Sequence, residues 1–177
     1  SLYLKGMKNM EFTQVIQERT ATRKFSDKPI AQETLNNILN IGRLAPTAKN
    51  NQPQVIYVIT SQEGLAKVDM ASPCRYNAPA VLIICSDKTK AFTNNDYSSY
   101  ETDACIVATH LMLAATNYQV DNIWIEMFDK KILKDVFDIP SNIEPICLLP
   151  LGYRAEDCPL NPLHHVRKEL HEYVKYL

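Results

Sequence analysis

From Ser98 to Asn117 the chain runs at helical spacing with apolar residues on nearly every side, Ile106, Val107, Leu111, Met112 and Leu113 among them. A helix without a polar stripe has to be surrounded by protein, so this stretch constrains the fold more than any other. Ser98 and Glu101, three residues apart, read as the capping box that starts it. Two surroundings stay open: the core of one chain, or that core together with a second copy of the same chain. At 177 residues and 46% hydrophobic the chain has enough apolar material for one globular domain, counted from residue 10 to residue 177. Ser1 to Gly6 precede Met7 and Met10 and are set aside as a candidate cloning remnant.

The other elements fall around that helix. Phe12, Val15 and Ile16 share a face of a first helix from about Met10 to Arg19, and Leu35, Ile38, Leu39 and Gly42 repeat at the spacing of a second. Gln54–Thr60 reads as a central strand buried on both faces, and Ala80–Cys85 as another. A helix from Gln62 to about Ala71 separates them, and Lys88–Asn95 reads as a polar, mobile loop. Asn122–Ile125 is a short strand, Asp129 caps a helix carrying Ile132, Leu133, Val136 and Phe137, and Glu144–Tyr153 is the last long strand. Helices first and then strands and helices interleaved predict an α+β layered domain. The segment beyond Ala155, with Pro159, Pro162, Arg167 and Lys168, lacks a core pattern and reads as an arm lying on something else.

Several functions are excluded by what the chain lacks. A formal net charge of -1 gives nucleic acid no basic surface to bind. No apolar run reaches the roughly 18 residues of a membrane span. Four scattered glycines build neither a dinucleotide-binding turn nor a phosphate loop, and the four histidines show no zinc spacing. The five cysteines, an odd number without a CxxC pair, read as reduced thiols and place the chain in the cytoplasm.

One stretch carries a positive reading. Arg19-Thr20-Ala21-Thr22-Arg23-Lys24-Phe25 sets two arginines four residues apart where the first helix runs out. Guanidinium groups donate in pairs to phosphate oxygens, so the stretch is either an anion site or a solvated basic turn.

Four stretches in order resemble the nitroreductase family of FMN-dependent oxidoreductases. The arginine stretch resembles the family's Arg-X-Ser-X-Arg-X-Phe, and Ala45-Pro46-Thr47-Ala48-Lys49-Asn50-Asn51-Gln52-Pro53 its Ala-Pro-Ser loop. Trp124-Ile125-Glu126-Met127-Phe128-Asp129 is similar to the turn beside the isoalloxazine, and Leu151-Gly152-Tyr153 with His165-Val166-Arg167 to the strand and basic tail that close the phosphate site. The resemblance implies a nitroreductase-like fold, a mainly antiparallel sheet flanked by helices, in a homodimer that exchanges C-terminal arms. It implies that Arg19, His165 and Arg167 hold the FMN phosphate, with Thr20 and Ala21 beside them, and that Arg23 sits at the pyrimidine edge. Trp124, Ile125 and Glu126 would line the ring, the Glu126 backbone N–H serving N5, while Pro46, Thr47 and Ala48 would complete the partner's site.

No side chain stands out as an acid or base, which fits chemistry carried by the cofactor. The implied activity is hydride transfer from NADH or NADPH through FMN to a nitroaromatic, quinone or similar small acceptor, in ping-pong fashion. A specialised flavin enzyme for dehalogenation or flavin fragmentation and a non-catalytic FMN-binding protein remain open. The chain departs from the pattern at Ala21, where a serine is usual, and at Gln54, where a tryptophan is. Gln119, Asp121 and Met127 stand where glycines are common.

Overall fold

The computed structural model describes residues 10–177, so the candidate remnant Ser1–Gly6 lies outside the described residues. Its centre is a four-stranded antiparallel sheet ordered β1 (Gln54–Ile59), β2 (Ala80–Asp87), β6 (Ile143–Gly152) and β5 (Asp121–Asn122). Every residue of β2 is buried. Alternation sorts its side chains by face. Ala80, Leu82 and Ile84 join Leu35 and Ile38 of helix α2 (Gln32–Gly42) and Val107, Ala108 and Leu111 of helix α4 (Tyr100–Asn117). On the other face Val81, Ile83 and Cys85 meet Val68 of helix α3 (Gln62–Ala71) and Leu133 of helix α5 (Lys130–Val136). The result is helix, sheet and helix in three layers, each buried aliphatic side chain contributing roughly 1.5–3 kcal/mol.

Helix α4 is the best-covered helix, with Ala104, Val107, Ala108, Leu111 and Ala115 fully buried, but one chain does not surround it: Ile106, Met112 and Leu113 are only half-buried. Its start differs from the expected capping box. The N-cap residue is Ser99, whose Oγ donates to Asp103 Oδ2 at 2.7 Å, while Asp103 Oδ1 accepts the Ala48 N–H at 2.8 Å. The carboxylate at the helix start thereby serves the Pro46–Ala48 loop as well as its own first turn. At the C-terminal end Val120 N donates to Ala115 O and Gln119 N to Thr116 O, both at 2.9 Å, with Gln119 at φ 57°. These two bonds form a Schellman cap, normally closed by glycine.

Two further expectations are corrected. β1 is an edge strand and only half-buried, because its apolar residues face both layers while its outer side has no neighbouring strand among the described residues. Lys88–Asn95 is a turn leading into the two-residue strand β3 (Thr93–Asn94), paired with β4 (Tyr97–Ser98). Elsewhere α3 has the expected bounds, and Asp129 Oδ1 caps α5 by accepting Ile132 N–H at 2.9 Å. The segment from residue 155 carries one short 3-10 turn and one short helix, α6 (Leu170–Tyr173). It leaves Leu160, Leu163, Val166, Leu170 and Tyr173 exposed. No described helix is long and apolar enough to cross a membrane.

Candidate functional site

Helix α1 (Phe12–Glu18) ends at Arg19, and the chain then runs alongside the ends of β5 and β6. Thr22 N donates to Asn122 O at 3.1 Å, Ser26 N to Tyr153 O at 2.8 Å, and Ala155 N to Lys24 O at 3.1 Å. Phe25 is buried against Gly152, where an added Cβ would lie 2.6 Å from Pro79 Cδ and 3.0 Å from Phe25 Cδ1. That glycine is needed because a side chain there would push the arginine stretch off the sheet.

Burial alternates along the stretch: Thr20 and Thr22 are buried, while Arg19, Ala21 and Arg23 are not. The three outward residues therefore share one face. Asp121 ties this segment to the last strand, accepting from Arg154 N at 2.8 Å and from Thr22 Oγ1 at 3.4 Å. The hydroxyl missing at Ala21 is thus not replaced by its neighbours. Both threonine side chains turn into the fold, so Thr20 offers the open face only its backbone.

Arg19 lies close enough to Arg167 that burial first, and then the second guanidinium, lower its pKa from the usual arginine value. Among the described residues none of Arg19, Arg23 and Arg167 is in an ion pair. Arg75, in contrast, forks onto Asp69 at 2.7 and 2.6 Å. Arg167 and His165 line a cleft of about 460 Å³ with Ile16, Gln17 and His164, and His164 Nε2 approaches Gln17 O at 3.2 Å. Arg167 Nη1 donates to Val166 O at 2.6 Å, but neither it nor Arg19 meets a carboxylate among the described residues. Two such guanidiniums in electrostatic reach are chemically suited to a phosphate dianion, which would offset their repulsion.

At the Trp124–Asp129 turn, Ile125 is buried and bridged to Leu148. Trp124 Nε1 donates to Glu126 Oε1 at 3.0 Å, which takes the carboxylate out of the way of its own backbone. Glu126 O accepts Phe128 N–H at 3.1 Å, while the Glu126 N–H has no acceptor among the described residues. It is a free donor. Arg23 belongs to the same neighbourhood through Tyr76: burial raises the Tyr76 phenol pKa, as does Cys74, and Arg23 opposes them.

Pro46, Thr47 and Ala48 are elsewhere. Ala48 is tied to Asp103 at the start of α4, while Asn122 Nδ2 reaches Thr116 Oγ1 near its end, at 3.2 Å. The 13 residue steps from Asp103 to Thr116 span about 20 Å of helix. One chain therefore puts His165 and Arg167 in one cleft with Arg19 in electrostatic reach, sets Arg23 beside Tyr76, and keeps the Pro46 loop at the far end of α4. Sequence reasoning missed Ser72, Cys74 and Tyr76, which lie between the arginine stretch and the Glu126 turn and had no periodic or motif signal to mark them.

Residues 16–74 and 67–153 match the model of the nitroreductase family. A nitroreductase family protein of Clostridium difficile 630 is 33% identical, its crystal structure covering 94% of this chain and 98% of its own with a TM-score of 0.88. An Archaeoglobus fulgidus protein named "Putative NADH dehydrogenase/NAD(P)H nitroreductase" is 27% identical over 154 residues, 83% of this chain and 87% of that one. The fold is also that of a Staphylococcus epidermidis protein described as a "putative NAD(P)H:FMN oxidoreductase", at 21% identity, TM-score 0.84 and coverage of 99% and 100%. With most of its length matched by the family model and a third of its residues shared with a solved member, this chain belongs to the nitroreductase family of oxidoreductases.

Proposed function

We propose that the chain is an FMN-dependent oxidoreductase that accepts hydride from NADH or NADPH and delivers electrons to a small nitroaromatic, quinone or similar acceptor. The observation that carries this reading is the cleft lined by His165 and Arg167, with Arg19 in electrostatic reach of Arg167 and neither arginine in an ion pair among the described residues. Arg19, Arg167 and His165 would hold the phosphate. Bound FMN would supply the hydride-accepting ring, and every other contribution belongs to the chain. Arg23 would place a fixed positive charge near the pyrimidine edge and so favour the reduced state. The Glu126 N–H, without an acceptor among the described residues, would be available to the bound ring as a donor. No dinucleotide-binding turn is present in the sequence, so donor and acceptor would visit one open pocket in turn, as ping-pong kinetics requires.

A complete site would need two chains. The separation of about 20 Å along α4 keeps Pro46, Thr47 and Ala48 from the arginines of their own chain, whereas a second copy could bring its loop to them. The exposed apolar groups of the 155–177 segment and the groove formed by Met10, Phe12, Ile41, His110 and Leu113 support the same reading, a homodimer with arms crossing between subunits.

The absorption spectrum tests the cofactor. The purified protein should be yellow, or take up FMN at low-micromolar concentrations or below, and NADH or NADPH should bleach it. Bleached protein should regain colour with a quinone. A colourless protein that takes up no FMN would overturn the reading, and bound FMN that neither nicotinamide bleaches would leave a binding protein in its place.

A further inference from the structure

The two pieces that face the proposed FMN ring, the Arg23 stretch and the Glu126 turn, are far apart in sequence, and a single short segment joins them in space. Ser72 closes helix α3 and is 1% exposed. Its Oγ donates to Met127 O at 2.7 Å and accepts the Cys74 N–H at 3.2 Å. One residue earlier Ala71 O accepts Asp129 N–H at 2.8 Å. The Glu126–Asp129 turn therefore hangs on two consecutive residues of this segment. Beyond Ser72, Cys74 Sγ lies 3.8 Å from Met127 Sδ, and Tyr76 O accepts Phe25 N–H at 3.1 Å.

The segment is held in a conformation it would not adopt on its own. Tyr76 and Asn77 both have left-handed backbones, at φ 53° and 64°. A bulky residue there costs free energy and persists only where its surroundings impose it. The imposing contacts are visible: Arg75 is clamped to Asp69 of α3 and donates through Nη1 to Ala78 O at 2.9 Å, and Phe25 holds the Tyr76 carbonyl. In this conformation burial has the larger effect on the Tyr76 phenol, raising its pKa, and interaction with Arg23 lowers it.

We propose that Ser72 is a positioning residue for FMN reduction: its hydroxyl, bridging Met127 O and Cys74 N–H, holds the Glu126 N–H in line and in register with Arg23. The inference rests on the FMN reading above and assigns the aiming of that donor to a side chain that does not touch the cofactor. Loss of the hydroxyl leaves Met127 O without its donor, so the turn gains freedom about the Ala71–Asp129 bond while the phosphate end is untouched. A donor aimed where charge develops loses much of its effect on a displacement of an ångström or less.

The experiment compares Ser72→Ala with wild type in three measurements. Amide hydrogen exchange on flavin-free protein should quicken about tenfold at Phe128 and Asp129, because the local opening that exposes them becomes easier. The Kd for FMN should stay within about twofold, since no phosphate contact is lost, and reduction of bound FMN by NADH or NADPH should slow about tenfold. Ser72→Thr, which keeps the hydroxyl, should restore both exchange and reduction. If Ser72→Ala does not fold, Ser72→Cys, a weaker donor of similar size, should show smaller changes in the same directions.

Unchanged exchange and unchanged reduction would overturn the proposal. So would a loss of FMN affinity as large as the loss of rate, which is the mark of general destabilisation. Wild-type protein that binds no FMN would overturn the function together with this role, whereas wild type that binds and reduces FMN beside an unaffected Ser72→Ala would overturn this role alone.

Discussion

Arg75 and Arg154 have their partners inside the chain, Asp69 and Asp121, whereas Arg19, Arg23 and Arg167 have no acidic partner among the described residues. The first two brace segments of the fold, and the other three would form the open face of the proposed FMN site. A guanidinium that has an internal carboxylate is committed to the fold. One left beside another guanidinium raises the free energy of the chain until an anion arrives. The comparison predicts a separation of effects: changes on the open face should alter ligand binding with little effect on the free protein, and changes in the braced part should do the reverse.

The largest expected effect breaks the open face altogether. Truncation after Pro159 removes His165, Arg167 and the exposed apolar residues of the tail in one step, leaving the buried core intact. FMN retention should be lost, and the product should run as a monomer or precipitate; full flavin content in a stable dimer by size-exclusion chromatography would show that the tail is no part of the site. Arg167→Ala is the milder version. A hydrogen bond to a charged group contributes about 1.5–3 kcal/mol, so FMN affinity should fall by roughly tenfold to a hundredfold. Thermal unfolding of the flavin-free variant should occur at the same temperature or slightly higher, since the repulsion from Arg19 is relieved, whereas Arg75→Ala should lower it with little effect on FMN affinity.

Within the open face the two ends of FMN should separate as well. Arg23→Ala should slow reduction of bound FMN about tenfold while changing FMN affinity by less than Arg167→Ala does, because its charge acts mainly on the reduced ring. Stopped-flow reduction and flavin titration of the two variants would measure this, and equal effects on both properties would mean the orientation is reversed.

How far the site was legible in the sequence depends on what kind of interaction holds each part. The arginine stretch offered a chemistry through its residue types, the Glu126 turn was marked only by its resemblance to a family motif, and α3, α5 and β2 could be read because patterned burial writes itself into the sequence. The edge position of β1 could not be read: Val55, Ile56, Val58 and Ile59 are as apolar as a central strand, and only the strand order shows that one side is unpaired. Ser98 looked like the N-cap of α4 because Glu101 completes a capping box, yet the adjacent Ser99 starts the helix and uses Asp103. Ser72 and Tyr76 were silent, since one buried hydroxyl and one left-handed tyrosine follow no period.

The braced part makes its own prediction in acid. Asp87 is buried, and hydrogen bonds from Thr89 and Asn142, with Lys90 nearby, hold its pKa down at about 2. Its pKa in the folded chain is below the ordinary carboxylate value of about 4. The carboxylate therefore contributes its full stability above that value and loses it as pH falls from about 4 towards 2. Asp87→Asn should be less stable at neutral pH and less sensitive to acid over that window, in urea titrations with and without FMN alike. A pH profile identical to wild type would remove Asp87 from the braced set.

The smallest effect is expected at Gln119, which closes α4 on the braced side of the comparison. The Schellman bonds from Gln119 N and Val120 N require the left-handed backbone observed there, and glutamine adopts it against the clash of its own Cβ. That clash costs roughly 1–2 kcal/mol, and glycine would avoid it while adding roughly 0.5–1 kcal/mol of unfolded-chain entropy. The balance favours Gln119→Gly by about 0.5–1 kcal/mol, a rise of about 2 °C in Tm for a chain of this length. Val120, 1% exposed and packed with Ala115, keeps the cap in place in either variant. FMN affinity and reduction should not change, because Gln119 lines a cavity with Glu18 and Thr20 that includes none of Arg19, Arg23 and Arg167. A lower Tm would mean that the glutamine side chain makes a stabilising contact that outweighs its backbone strain. A change in flavin reduction would mean that the end of α4 and the open face are coupled, and the separation drawn from the two sets of arginines would fail at that point.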